Sequence, residues 1–222
     1  MTRRGRSLVW LGLAVGARGR NVTIMMPRRV ERSKPQQDST AGFNVREWNT
    51  LATSLEGRRP ELHAALRPLG SFWGAGYRNV LVGRVPDHQA FFESVRGHLS
   101  TDVRLEGALT KMVPVELTGT FEPTALAEAA TDLVLPHADR VAGQTFYVRV
   151  ERRGLKGVVH TPTVERLVGE ALIGATERCG KPATVRFDDP DVIVAIETTG
   201  DTFGVGFLSR ALRHRFPFVR VP

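Results

Sequence analysis

Four cations fall within eight residues: Arg149, Arg152, Arg153 and Lys156. They stand at the end of an alternating segment, QTFYVRVER, and in the stretch that follows it. Gly154 and Gly157 lie among them, so the backbone there can approach an anion closely while guanidinium and ammonium groups supply charge-assisted hydrogen bonds. A second group, Arg210, Arg213 and Arg215, comes after the last strand-like segment and is followed by Phe216 and Phe218. Cations beside flat rings suit a ligand that carries both negative charge and a stackable face. Arg78 and Arg84 bracket a third apolar segment. Tyr147 belongs to the polar side of the alternating segment; its ring can stack on a flat ligand, although an exposed sheet tyrosine with no ligand is the commoner case.

Other chemistries find little support. The only P-loop lookalike runs from Gly174 to Gly180-Lys181, one residue too long, and Pro182 stands where the magnesium-binding hydroxyl belongs. Gly204-Val205-Gly206 lies inside a strand pattern and reads as close backbone packing. The six histidines are scattered without ligand spacing, and one cysteine excludes both an internal disulfide and a multi-cysteine metal site. Cys179 falls at a helix C-terminus, away from the positive end that activates thiolates. No catalytic residues, metal or cofactor are expected.

The net charge of +8 invites a nucleic-acid partner, but its distribution tempers that. Residues 1–40 hold nine basic and two acidic groups, whereas residues 41–222 hold 22 and 21. Residues 141–222 lean basic by three. The basic start followed by SLVWLGLAVGA has three readings: a secretory signal, an organelle transit peptide, or an over-extended start or disordered arm, the last favoured because Met25 and Met26 supply alternative starts. No run approaches the roughly 18–20 apolar residues that span a bilayer, so no membrane partner is expected.

The elements that must position these groups form two units. From Phe43, FNVREWNTLATSLEG predicts a strand, RRPELHAALRPLG a helix ended by Pro68 and Gly70, and YRNVLVGRV a second strand. Asp87 predicts an N-cap for a helix that buries Phe91, Phe92, Val95 and Leu99. VRLEGALTKMVPVELTGTF then carries one or two strands around Pro114. This order suits a small ferredoxin-like α+β unit. In the second unit EPTALAEAATDLVL is a helix with Pro123 near its first turn, and Phe146, Val148 and Val150 line one face of a strand. A helix capped by Thr163 follows, with Val164, Leu167, Val168, Ala171, Leu172 and Ala175 in its stripe and Gly180 ending it. ATVRF is a short strand; VIVAIET and TFGVGFLS form a hairpin about Thr199, Gly200 and Asp201.

The stretch from Thr110 to Ser209 resembles a THUMP domain, an RNA-binding module of tRNA-modifying systems. The likeness is carried by TKMVPVELTGTF, TFYVRVERRGLKG, VERLVGEAL and DDPDVIVAIETTGDTFGVGF. The preceding unit is similar to the ferredoxin-like domain found before THUMP in many members. The expected layout is a tail (1–42), a ferredoxin-like domain (43–105), a THUMP-like domain (106–209) and a short tail (210–222), an α+β fold. Because the chain stops soon after Ser209, the resemblance favours the tRNA-acetylation adaptors over members with an attached catalytic domain. It implies a noncatalytic, cytoplasmic protein that binds the acceptor region of tRNA and presents it to a separate modification enzyme. Lys111 stands where the family often has a basic residue. The expected RNA contacts are therefore Arg149, Arg152, Arg153, Lys156, Lys111, Arg78, Arg84, Arg210, Arg213 and Arg215. Two other functions compete: an enzyme with a site between the two units, and a secreted or envelope binding protein.

Overall fold

A computed structural model describes residues 48–222. The tail and the first residues of the strand read from Phe43 lie outside the described residues. The first unit runs β1 (Thr50–Ser54), α1 (Arg59–Leu66), β2 (Ser71–Gly74), β3 (Val80–Arg84), α2 (His88–Leu99), α3 (Val103–Ala108) and β4 (Leu109–Pro114). Its four strands lie in the order β2-β3-β1-β4, every neighbour antiparallel. This is the split β-α-β arrangement expected of the first unit.

Local chemistry accounts for most of these elements. Pro60 opens α1, where its missing N–H costs nothing, and Leu62, Ala65 and Leu66 are buried. The Asp87 carboxylate accepts from the Ala90 N–H at 2.6 Å, capping α2 as expected. Two elements depart from the sequence reading. Strand β2 went unread because it has only four residues between glycines; it is held by Phe72, whose ring lies where a Cβ at Gly83 would fall. Helix α3 is capped by Asp102, which accepts from the Arg104 N–H at 2.9 Å.

The second unit continues with β5 (Leu117–Thr120), α4 (Leu126–Val134), a 3-10 segment (Leu135–Arg140), β6 (Thr145–Glu151), α5 (Thr161–Arg178), β7 (Thr184–Val185), β8 (Val192–Thr199), β9 (Thr202–Ser209) and α6 (Arg210–Arg215). The sheet order is β5-β9-β8-β6-β7, with β6 parallel to β7 and β8 and the remaining pairs antiparallel. Thr199 pairs with Thr202 across the tight turn, and Gly200 takes the positive φ of 69° that the turn requires. All eight residues of β8 are buried. Pro123 lies before α4 and its N-cap, Ala125, rather than in its first turn. His160, not Thr163, is the N-cap residue of α5; Thr163 Oγ1 hydrogen-bonds its ring at 2.8 Å. Leu167 from the predicted stripe points outward, while Val164, Val168 and Leu172 are buried.

One face of the second sheet packs on α4 and α5 through Phe146, Val148, Val150, Val168 and Leu172. The other face meets the first unit, where Ile193, Ala195 and Leu208 share a core with Leu51, Met112 and Val113. The two sheets approach so closely that a Cβ at Gly206 would collide with the Pro114 carbonyl oxygen, and one at Gly204 with the Trp48 ring. That is the close packing read for the Gly-x-Gly. The last residues cross back to the first sheet: the Met112 N–H donates to the Phe218 carbonyl at 2.7 Å, beside a parallel bridge from Met112 to Val219. Among the described residues, no helix is long and apolar enough to cross a membrane.

Candidate nucleic-acid interface

The alternation of β6 decides what its cations can reach. Phe146, Val148 and Val150 turn into the core, and Tyr147, Arg149 and Glu151 turn to the other face. Beyond β6 the chain makes a tight excursion in which Gly154, Leu155 and Gly157 all adopt positive φ, at 73°, 53° and 83°. For Leu155 this left-handed backbone costs about 1–2 kcal/mol. Its side chain packs against the second core, which holds it there. The excursion delivers the chain to the start of α5 and leaves a groove of about 450 Å³, lined by Arg149, Arg152, Gly154, Lys156, Thr161 and the terminal Pro222 among others.

Three of the four clustered cations thus come together on one groove, as the sequence spacing suggested. Lys156 is exposed. Arg149 is 43 % exposed and has only a long 3.8 Å contact to Glu165, which itself accepts from the Val150 N–H at 2.9 Å. Arg152 donates to the Gly154 carbonyl at 2.9 Å, bracing the excursion. The N-terminal end of the eighteen-residue α5 enters at Thr161 and adds its positive dipole end. The groove can therefore hold an anion by charge and by hydrogen bonding.

Arg153 and Lys111 are elsewhere, and both expectations are corrected. Each is only 7 % exposed. Lys111 on β4 pairs with Glu197 on β8 at 3.0 Å and also with Glu151. Arg153 pairs with Glu197 and reaches Glu151 at 3.2 Å, and its N–H donates to Thr198 Oγ1 at 2.9 Å. Two cations and two carboxylates form a neutral set that runs from the buried Glu197 between the sheets to Glu151, 30 % exposed at the groove, because a lone charge in the interior would be too costly to bury. Nothing in the local sequence marks them, since Glu197 lies inside a run of apolar and β-branched residues 44 positions after Arg153. The set also occupies Glu151, so among the described residues the groove cations keep only the long Glu165 contact to Arg149 as an ion pair.

The second cluster is spent on other partners. Arg210 pairs with Asp189 at 2.9 Å and Asp191 at 3.0 Å, Arg213 with Asp189 at 3.7 Å, and Arg215 with Glu93. Asp191 is held below the usual carboxylate range, first by the Thr145 hydroxyl and amide and then by Arg210. Phe216 and Phe218 are no stacking platform: both are buried against Phe92, at 5.6 Å and 5.9 Å between ring centres. Arg84 is exposed at the end of β3. Arg78 is exposed beside Tyr77, whose hydroxyl donates to the Arg153 carbonyl at 2.9 Å and accepts from the Gly200 N–H at 3.2 Å. Tyr77 so ties the first unit to the base of the excursion, a residue that sequence reasoning missed. Tyr147 is half-buried, and burial pushes its phenol up, so its ring stays uncharged near neutral pH.

No protein-family model matches the sequence, and no curated protein does. Solved structures do share the fold. TrmN from Thermus thermophilus matches with a TM-score of 0.50 and 23 % identity over 72 % of this chain and 45 % of that one. PH1313 from Pyrococcus horikoshii matches with a TM-score of 0.50 and 10 % identity over 72 % of this chain and 54 % of that one. The chain spans about half the length of these proteins, and at such identities the likeness is one of fold alone: a mixed α+β architecture built on two sheets.

Proposed function

We propose that this protein binds tRNA in the groove between β6 and α5 and acts without catalysis, presenting the RNA to a separate modification enzyme such as a tRNA cytidine acetyltransferase. The observation that carries the reading is the convergence of Arg149, Arg152 and Lys156 on one groove, where Glu151 of the lining is already shared by Lys111 and Arg153 and Glu165 makes only a long 3.8 Å contact with Arg149. Cations gathered on a concave surface match the phosphodiester backbone. The THUMP-like residue pattern of Thr110–Ser209 supports RNA as the anion. The shared fold with TrmN, about 23 % identical, agrees with that pattern.

The test compares tRNA binding by the wild-type protein and by R149E/R152E/K156E across a series of salt concentrations. The variant should bind more weakly, with the slope of log affinity against log salt lowered by about 2, one phosphate contact per cation at ~0.7 each. Equal affinity and equal slope would refute the assignment. The adaptor role predicts that cells lacking the protein lose one modified nucleoside from tRNA, read by nucleoside mass spectrometry; an unchanged nucleoside profile would remove that role.

A further inference from the structure

Phe187 is 77 % exposed, an unusual position for a large apolar side chain. It follows β7, the edge strand of the second sheet, where the Arg186 N–H donates to the Phe146 carbonyl at 2.9 Å and so carries the pairing one residue past Val185. The Phe187 ring lies 5.6 Å from that of Tyr147, tilted by 37°. Val185, two residues earlier in the chain, is 42 % exposed. Two residues further along β6, on the same face as Tyr147, comes Arg149 of the groove, about 6.6 Å away at the rise of a strand. An exposed Phe187 and a half-buried Tyr147 thus continue directly into a row of cations.

We propose that Phe187 and Tyr147 form a stacking site for an unpaired base of the RNA whose backbone lies in the groove. The inference rests on the groove reading and deepens it: the ligand presents at least one unpaired nucleotide next to the phosphates held by Arg149 and its neighbours. Charge supports a base over a phosphate at this position. Asp188 adjoins Phe187 in the chain, and Asp189 and Asp191 follow, the latter two paired with Arg210 and Arg213, so the surroundings of the rings are close to neutral while the groove is cationic. A neutral, flat, partly apolar base fits the first environment and an anionic backbone the second. Size argues against a protein: two rings and one valine fall far short of the roughly 800 Å² that each partner gives to a stable protein interface.

The experiment measures binding of a short unstructured oligoribonucleotide, and of its fully paired duplex, to the wild type and to F187A and F187W. Phe187 is exposed, so both variants should keep the fold, which circular dichroism checks. The proposal expects F187A to weaken single-strand binding about tenfold, with an unchanged salt slope and unchanged duplex affinity. F187W should bind like the wild type, and its added fluorescence should be quenched by the single strand. Wild-type single-strand affinity in F187A overturns the stacking site alone, provided that R149E/R152E/K156E still loses binding. An equal loss on single strand and duplex also overturns it, as does a loss of self-association in F187A with RNA binding intact. If the wild type binds neither RNA, the groove reading fails and takes the stacking site with it.

Discussion

The segments 149–156 and 210–215 look alike as sequence: each lies at or just past the end of a strand, each is rich in arginine, and each lies near aromatic residues. In the folded chain they have opposite fates. Around 149–156 Glu151 and Glu197 pair with the buried Lys111 and Arg153, Glu165 makes only a 3.8 Å contact with Arg149, and three cations are left facing a groove. Around 210–215 the turn before β8 brings Asp189 and Asp191 against Arg210 and Arg213, while α2 brings Glu93 against Arg215. The positions of Arg213, His214 and Arg215 in the last turn of α6 also complement the negative end of that helix. A cation is available to a ligand only when the fold has not already assigned it an acid, and those acids come from distant parts of the chain.

The largest expected effect concerns the interior that sorts the cations. E197Q leaves Lys111 and Arg153 sharing one carboxylate in a buried place, and denaturant unfolding should show a loss of about 3–5 kcal/mol. A loss below ~1 kcal/mol would mean that the buried set does not hold the sheets together. Next comes the contrast between the clusters. R149E/R152E/K156E should lower tRNA affinity at moderate salt by about a hundredfold, whereas R210A/R213A/R215A should change it by less than ~3-fold. Comparable losses from the two triple variants would erase the distinction.

Smaller still is the effect of splitting the exposed pair Arg166–Glu170, at 2.8 Å on α5: R166A should cost no more than about 0.5 kcal/mol, in contrast to E197Q. The smallest effect is on pH. Asp191 has a folded pKa below its unfolded value, so its contribution to stability is present above the ordinary carboxylate range and fades as pH falls through the folded value. T145V removes the leading cause. Carboxyl titration followed by NMR should show the Asp191 pKa rising, and acid unfolding should depend less on this group.

How far the molecule could be read in its sequence follows from the range of the forces involved. Elements set by local signals were legible: the Asp87 cap, the alternation of β6, the Gly200 turn and the apolar run of β8 each depend on a few adjacent residues. Strand β2 was not, because its pairing to β3 is secured by one ring over Gly83 in another strand. Of the site, Arg149, Arg152 and Lys156 were legible as a cluster, since one strand and one excursion hold them together. The inward turn of Arg153 and Lys111 was not, because it depends on Glu197, which pattern alone assigns to a buried strand. Phe216 and Phe218 were misread for the same reason: their cover is Phe92, on a helix more than a hundred residues earlier.

The most direct test of the central claim is to crosslink tRNA to the intact protein with ultraviolet light and to map the crosslinked peptides by mass spectrometry. The account predicts crosslinks within residues 145–161 and at Phe187, and none within 210–222 apart from the terminal Pro222 that lines the groove. Crosslinks concentrated in 210–218, with 145–161 free of them, would contradict it.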